Sequence, residues 1–323
     1  MLIIGRGDTA SGAGKIERVN TATDALQRYG DSELYRACRS ALDLGAPYVY
    51  AANTPVPSDV VDVINVLKSY DFTYIVPVSI FISEYFHNRK VEGKKTYYME
   101  YFARKLSGSG ATLIATDKHA SLYEDIDHFL DYMIAVKDSV RKRLMSDSSI
   151  FLNSICFVAN NLERHDFANA VLAAVLCAAP MDEYPSADFG PAVFDIDFLD
   201  LGHNEMAYFK NNYLTGTTVE NLVNFERVGK TTRNVMADRI AKYISKELDL
   251  SRFKGRLATN YQRARAEQEV IDFLESERNR TLEGYDLDPV RLFKDAPGSS
   301  TLHVEFDIYP INFKDRVAIK VEN

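Results

Sequence analysis

The chain has 323 residues, of which 46% are apolar and 26% charged, proportions that permit a large core and exclude a low-complexity or disordered chain. Its formal net charge of -8 works against a nucleic-acid-binding face over much of the molecule, because such a face must be basic to displace counterions. The opening apolar run stops at Gly5, and the longest one, Ala170 to Ala179, falls short of the ~20 residues a spanning helix needs, so a soluble chain without membrane insertion is expected.

Leu2 to Ile4 reads as a short buried strand ending at Gly5, followed by a glycine-rich loop to Lys15. Thr21 to Tyr29 and Ser32 to Leu44 read as helices, the second with Leu34, Tyr35, Cys38, Ala41 and Leu42 at helical spacing and Gly45 as its stop. Tyr48 to Ala51 is then a strand, and strand-helix-strand implies a parallel sheet. Ser58 is a candidate cap for a helix carrying Val60, Val61, Ile64 and Leu67, ahead of a strand at Phe72 to Val78. Ala111 to Ala115 is a further strand, Leu122 to Leu144 a long amphipathic helix, Ile150 to Ala159 a strand, and Asp166 to Ala179 a helix apolar nearly all round, hence buried. Between Met181 and Gly229 the signals weaken among prolines and glycines, with one strand at Val193 to Leu199. Helices follow at Thr232 to Leu248 and Thr259 to Glu283, the second stopping at Gly284.

The chain closes on two alternating segments. Leu302, Val304, Phe306 and Ile308 alternate with polar residues, and beyond Pro310 so do Val317, Ile319 and Val321. A terminus that is not tied down has no need of such alternation, so the last strand is expected to find a partner.

Several motifs tempt and fail. VGKTT at Val228 to Thr232 has Asn224 where a phosphate-binding loop needs glycine. Asp195, Asp197 and Asp200 could hold a divalent metal, yet Phe194, Ile196 and Phe198 alternate with them as on a half-buried strand. Asp127 and Asp131 straddle His128 as on a solvated helix face, and His165 with Asp166 reads as a helix cap. Cys38, Cys156 and Cys177 sit among apolar residues far apart in the sequence, which implies reduced, buried thiols. The adhesion-type tripeptide Arg6-Gly7-Asp8 is short enough to arise by chance. There is no CxxC, HExxH or GxSxG, so no catalytic, cofactor or metal residues are assigned and a non-enzymatic chain is expected. The competing reading is an α/β enzyme whose Gly5 to Lys15 loop cradles an anion at a strand end; its glycines do not fit GxGxxG.

In order and spacing, several segments resemble the contractile-tail sheath proteins of bacteriophages. LIIGRG, KIERVNTATDALQRYGD and SELYRACRSALDLGAPYVYAAN are similar to the opening of the sheath core, and VINVLKSYDFTYIVPV to its next helix and strand. AEQEVIDFLESERNRTLEGYDL, TLHVEFDIYP and DRVAIKVEN resemble its C-terminal helix and last two strands. The resemblance covers about half the chain, at both ends, and no single motif in it is diagnostic. The extended N-terminal arm usual in that family does not precede the first strand.

The resemblance implies an α/β fold, α+β overall: a sheath-type core with a mixed sheet flanked by helices, built from both ends of the chain. Residues 1–180 are expected to form its N-terminal α/β part, 181–230 an irregular segment or insertion, and 231–323 the C-terminal helices and closing strands. The implied role is a structural subunit polymerising around a tail tube and repacking on contraction, or a collar, neck or baseplate relative. The implied partners are copies of itself, the tail tube protein, and baseplate and neck proteins, in a virion assembled in the host cytoplasm. Arg316, Val317, Ala318, Ile319, Lys320, Val321 and Glu322 are the expected subunit-linking strand, with pairing inside the chain's own sheet as the alternative.

Overall fold

The structure is a computed structural model that describes residues 1–9, 12–87, 95–106, 110–146, 154–163, 167–179, 186–187, 193–194, 206–212, 216–220, 223–226, 232–253, 259–278, 280–289, 291–296, 299–310 and 315–322. The chain forms two compact units, one of Met1–Ala179 with Pro185–Arg233, the other of Pro180–Tyr184 with Asn234–Asn323.

The first unit is a mixed, mostly parallel sheet with helices. In chain order it contains β1 (Leu2–Gly5), β2 (Ile16–Val19), α1 (Ala22–Tyr29), α2 (Glu33–Asp43), β3 (Val49–Asn53), α3 (Pro57–Val66), β4 (Tyr74–Pro77), β5 (Tyr85–His87), β6 (Lys95–Tyr97) and α4 (Tyr98–Leu106). There follow β7 (Thr112–Ala115), α5 (Ile126–Ser146), β8 (Ser154–Phe157), α6 (Ala168–Ala178), β9 (Ser186–Ala187), β10 (Tyr208–Asn212), β11 (Gly216–Glu220), β12 (Val223–Glu226) and β13 (Thr232–Asn234). The main sheet runs β13-β12-β8-β7-β4-β1-β3-β2. Its inner five strands are parallel, β3 to β1 to β4 to β7 to β8, while β2 and β12 join antiparallel.

β1 sits in the middle because Leu2, Ile3 and Ile4 form an unbroken apolar run, and all three are fully buried; only a strand covered on both faces has use for that. Where it ends, Val78 N–H donates to the Ile4 carbonyl at 2.7 Å. A Cβ on Gly5 would lie 2.3 Å from Val78 Cγ2, so glycine is what lets β1 and the chain after β4 close up. The sequence gives no hint of β2, since IERV is four residues with two charges; it is a strand because β3 offers it an edge, with Ile16 opposite Ala52 and Val19 opposite Val49.

Local signals set the helix starts. Thr21 Oγ1 accepts from Asp24 N and Ser32 Oγ from Tyr35 N, capping α1 and α2. The expected cap at Ser58 is wrong by two residues: α3 begins with Pro57 in its first turn, and Asp59 accepts the Val56 N–H at 3.2 Å. α6 is buried on nearly every side, as its composition requires. It carries one polar residue inward: Asn169 is fully buried and donates to the carbonyls of Pro77 at 2.7 Å and Ile114 at 3.3 Å, joining the helix to the ends of β4 and β7.

The second unit contains α7 (Val235–Glu247), α8 (Asn260–Glu277), β14 (Leu282–Leu287), β15 (Arg291–Ala296), β16 (Ser299–Pro310) and β17 (Asp315–Glu322). Its core combines two periods: Ile240, Ile244 and Leu248, then Ala266, Val270 and Leu274 repeat every fourth residue, while Val304, Phe306 and Ile308 repeat every second. α8 stops at Glu277, six residues before the expected Glu283. The buried Glu277 carboxylate accepts from Thr281 Oγ1 at 2.9 Å and Tyr243 OH at 3.2 Å, and the Glu277 carbonyl accepts the amides of Arg280 and Thr281. Those bonds turn the chain so that Leu282 opens a strand.

Asn169→Leu removes both donors and leaves the facing carbonyls without them, an unmet desolvation of about 1–3 kcal/mol. The expected result is a lower urea midpoint at an unchanged slope, read by circular dichroism.

Candidate subunit-linking strand

β16 is the axis of the second unit. On one edge it pairs antiparallel with β15 through Ser299 to His303 and with β14 through Phe306 to Pro310. Asp288 N–H donates to the Glu305 carbonyl between those two ladders. On its other edge it pairs antiparallel with β17 over eight positions, from Asp315 opposite Ile308 to Glu322 opposite Thr301.

Arg316 to Glu322 therefore lie together on one strand at one border of this sheet. Arg316 stands opposite Asp307, Val317 opposite Phe306, Ala318 opposite Glu305, Ile319 opposite Val304, Lys320 opposite His303 and Val321 opposite Leu302. One main-chain edge of β17 is thus satisfied inside the chain, and α7 runs alongside. Among the described residues, its outer edge has no ladder partner.

Sequence reasoning passed over the other border. Gly284 in β14, Pro289 between the two strands and scattered charges hide the alternation of β14 and β15; β16 supplies the register they lack. Side chains brace this side: Tyr285 OH donates to Glu275 Oε1 at 2.8 Å, and Tyr309 OH donates to Asp286.

The other candidates do not converge. In the Gly5 to Lys15 loop an anion cradle requires outward N–H groups, and four of them are already used by the chain. Gly7 donates to Asn53 Oδ1 at 2.9 Å, Asp8 to the Tyr29 carbonyl, Gly14 to the Asn53 carbonyl and Lys15 to the Gly12 carbonyl. The partner of His128 is Asp125, 2.8 Å from Nδ1, while Asp127 and Asp131 stand apart on exposed helix. The His128 amide, then its imidazole, hold the Asp125 carboxyl below the usual carboxylate range, which is capping chemistry at the start of α5. Asp195, Asp197, Asp200, His165, Asp166 and all of VGKTT except Thr232 fall outside the described residues. Among the described residues no group of acids, histidines and cysteines could hold a metal ion, and no helix is long and apolar enough to cross a membrane.

The cysteines separate into two kinds. Cys38 and Cys156 are fully buried, and burial raises both thiols, that of Cys156 to about 12. Cys177, expected in the core, is exposed near the end of α6, where the all-round apolar pattern gives way.

Sequence reasoning missed Asp117, a fully buried acid. Its carboxylate accepts from Ser83 N and Lys118 N, both at 2.9 Å, and from Tyr132 OH at 2.9 Å, and its carbonyl accepts from Asn160 Nδ2. It straps the segment after β4 to the end of β7 and to α5. Nothing around a lone acid in ATDK signals this role.

No protein-family model and no curated protein matches the chain. Among solved structures it is similar to the crystal structure of the sheath tail protein Lin1278 from Listeria innocua, at 10% identity over 99% of this chain and 94% of that one, with a TM-score of 0.62. The fold is thus a sheath-type α/β fold. At that identity the likeness concerns architecture and not individual side chains.

A thiolate-directed reagent at pH 8 is expected to modify Cys177 alone in the native protein and all three cysteines in denaturant, because the raised thiols hold no thiolate at that pH. Rapid native modification of a second thiol would contradict the packing around α2 and β8.

Proposed function

We propose that the chain is a structural subunit of a contractile phage-tail sheath, polymerising around a tail tube and repacking on contraction to drive the tube into the host. The observation that carries this reading is the likeness of fold to a sheath tail protein across nearly the whole of both chains. Its partners on this reading are copies of itself, the tail tube protein, and baseplate and neck proteins, and its place is the virion. It acts without catalysis, and Arg316 to Glu322 add to a sheet edge in a neighbouring copy. Ladder bonds suit such a link. Each contributes about 0.5–1.5 kcal/mol net, and a row of them survives rigid-body rotation of the units it joins.

A second reading, a collar, neck or baseplate subunit of the same fold, is favoured by one feature. β17 is already laddered to its own β16, so a copy is complete without passing a strand onward.

Negative-stain microscopy of the purified chain separates these readings from the enzyme: tubes support the sheath, discrete rings the terminal subunit, and monomers with ligand-dependent thermal shifts the enzyme. Consecutive residues of a strand direct their N–H groups to opposite edges. Of Ala318→Pro and Ile319→Pro, one therefore removes a bond to β16 and the other only an outward donor. The variant that keeps the wild-type melting temperature is expected to lose assembly; if it assembles normally, β17 is not the link.

A further inference from the structure

We infer that the N-terminal end of α8 in one copy docks on an aromatic shelf beside α3 in the next copy, a directional contact that repeats from copy to copy; this rests on the reading that copies of the chain assemble and names two surfaces that meet. The shelf belongs to the first unit. α3, α4 and α5 share a core with Leu2, Ile4 and Ile75 on one face of the main sheet, and beside α3 Ile16 and Tyr50 are only partly buried against that core. A row of rings continues outward from there: Tyr48 lies 5.9 Å from Tyr50, Tyr50 5.3 Å from Phe72, and Phe72 stacks on Tyr70 at 5.4 Å, centroid to centroid. Tyr70 is 44% exposed and Val66, which ends α3, is 42% exposed. Contiguous exposed apolar surface marks a place where something binds.

Charge names the occupant. Arg18 stacks 4.0 Å over Tyr48 and donates to Asn20, Glu17 pairs with Arg28, and Asp59 accepts the Val56 N–H. Those charges are engaged. Asp62, exposed one turn before Val66, makes no ion pair among the described residues. The shelf thus suits an apolar group that arrives with a cation beside it.

The start of α8 offers both. Its first core residue is Ala266, while residues 259–261 and 263–265 are all exposed, so the helix end stands clear of its own core. Tyr261 is 70% exposed, and Arg263 makes no ion pair among the described residues. Tyrosine and arginine are the residue types that carry binding energy at interfaces. α8 also has no acid in its first turn and no base in its last, the reverse of what the macrodipole favours. Arg263 therefore does nothing for its own helix, and an acid on a neighbour gives it a partner. Because the two surfaces differ, the contact is heterologous and propagates along a helical array instead of closing on itself.

Cross-linking on a Cys177→Ser background, with Cys38 and Cys156 buried, tests this. With a short bis-maleimide, Asp62→Cys and Arg263→Cys in one chain are expected to give a ladder of dimers, trimers and longer species on a denaturing gel. An equal mixture of the two single variants is expected to give dimers and nothing longer, since each copy then supplies one half of a junction. A dimer from either single variant alone, or an internally linked monomer from the double variant, overturns the head-to-tail contact. Sedimentation reads the same junction without thiols. Asp62→Arg is expected to raise the concentration needed for assembly at least tenfold, and Asp62→Arg with Arg263→Glu to restore it. Arg263→Glu alone is expected to weaken assembly as much while raising the melting temperature, because an acid near a helix N-terminus is favourable; a purely structural Arg263 would not separate the two. Tubes or rings that form unchanged in these variants, without cross-links, overturn the contact and leave the structural reading standing, and monomers throughout, wild type included, overturn both.

Discussion

A β-strand has two edges of hydrogen-bonding groups, and the second unit is organised by how one strand meets that demand. β16 is twelve residues long, about twice the usual length, and takes β14 and β15 in tandem on one side and β17 on the other. Its alternation sends Val304, Phe306 and Ile308 into the core shared with α7 and α8. A one-residue slip would turn that set to the opposite face, so the core fixes the register of β16, and β16 fixes the register of its neighbours. That is how the last eight described residues, whose own sequence specifies only a strand, acquire a defined border position.

The first unit meets the same demand with a parallel sheet whose connections cross its faces. Its inner order, β3-β1-β4-β7-β8, is that of doubly wound folds that bind ligands where the strand order reverses, at the carboxyl ends of the strands. Here the chain itself occupies that region. Asn53 binds Gly7 N–H and donates from Nδ2 to the Thr9 carbonyl at 2.7 Å, and Thr54 Oγ1 donates to the Gly5 carbonyl at 3.0 Å. Ile80 and Ile82 are buried beyond β4, while Asp117 holds Ser83 in place. Polar groups that would face a ligand in an enzyme of this topology are used to bind one loop to the next. That spends the switch point on tying the loops together.

Long, strongly periodic elements were legible from sequence for physical reasons. α2, α5 and α6, and β1, β4, β7 and β16, carry patterns that hold only for a helix buried on one stripe or all round, or a strand buried on one face or both. β2, β14 and β15 were not legible because edge strands are defined by the partner that accepts them and their own alternation is weak. The end of α8 was misread for a related reason: a single buried carboxylate, Glu277, gathers the hydroxyl of Thr281 and the amides beyond the helix, and the glycine further on is left to the strand. Asp117 and Asn169 were invisible because their value lies in the carbonyls, amides and hydroxyls that distant segments bring to them. β17 could be placed as a strand from its alternation, but its partner on the inner side could not, since Val317, Ile319 and Val321 would suit any apolar-faced strand.

A long, alternating edge strand is a template for any extended chain, and natural proteins guard such edges with bulges, prolines, brevity or charge. The β14–β15 border uses Pro289 and an interruption, and β2 uses brevity. β17 has neither device, and what it carries instead is charge in a fixed order: acidic Asp315, basic Arg316 and Lys320, acidic Glu322. Charges placed only to repel would be of one sign. A basic residue near one end and an acidic residue at the other disfavour registers that bring like charges opposite each other, so the order of charge guards an edge that length and proline do not.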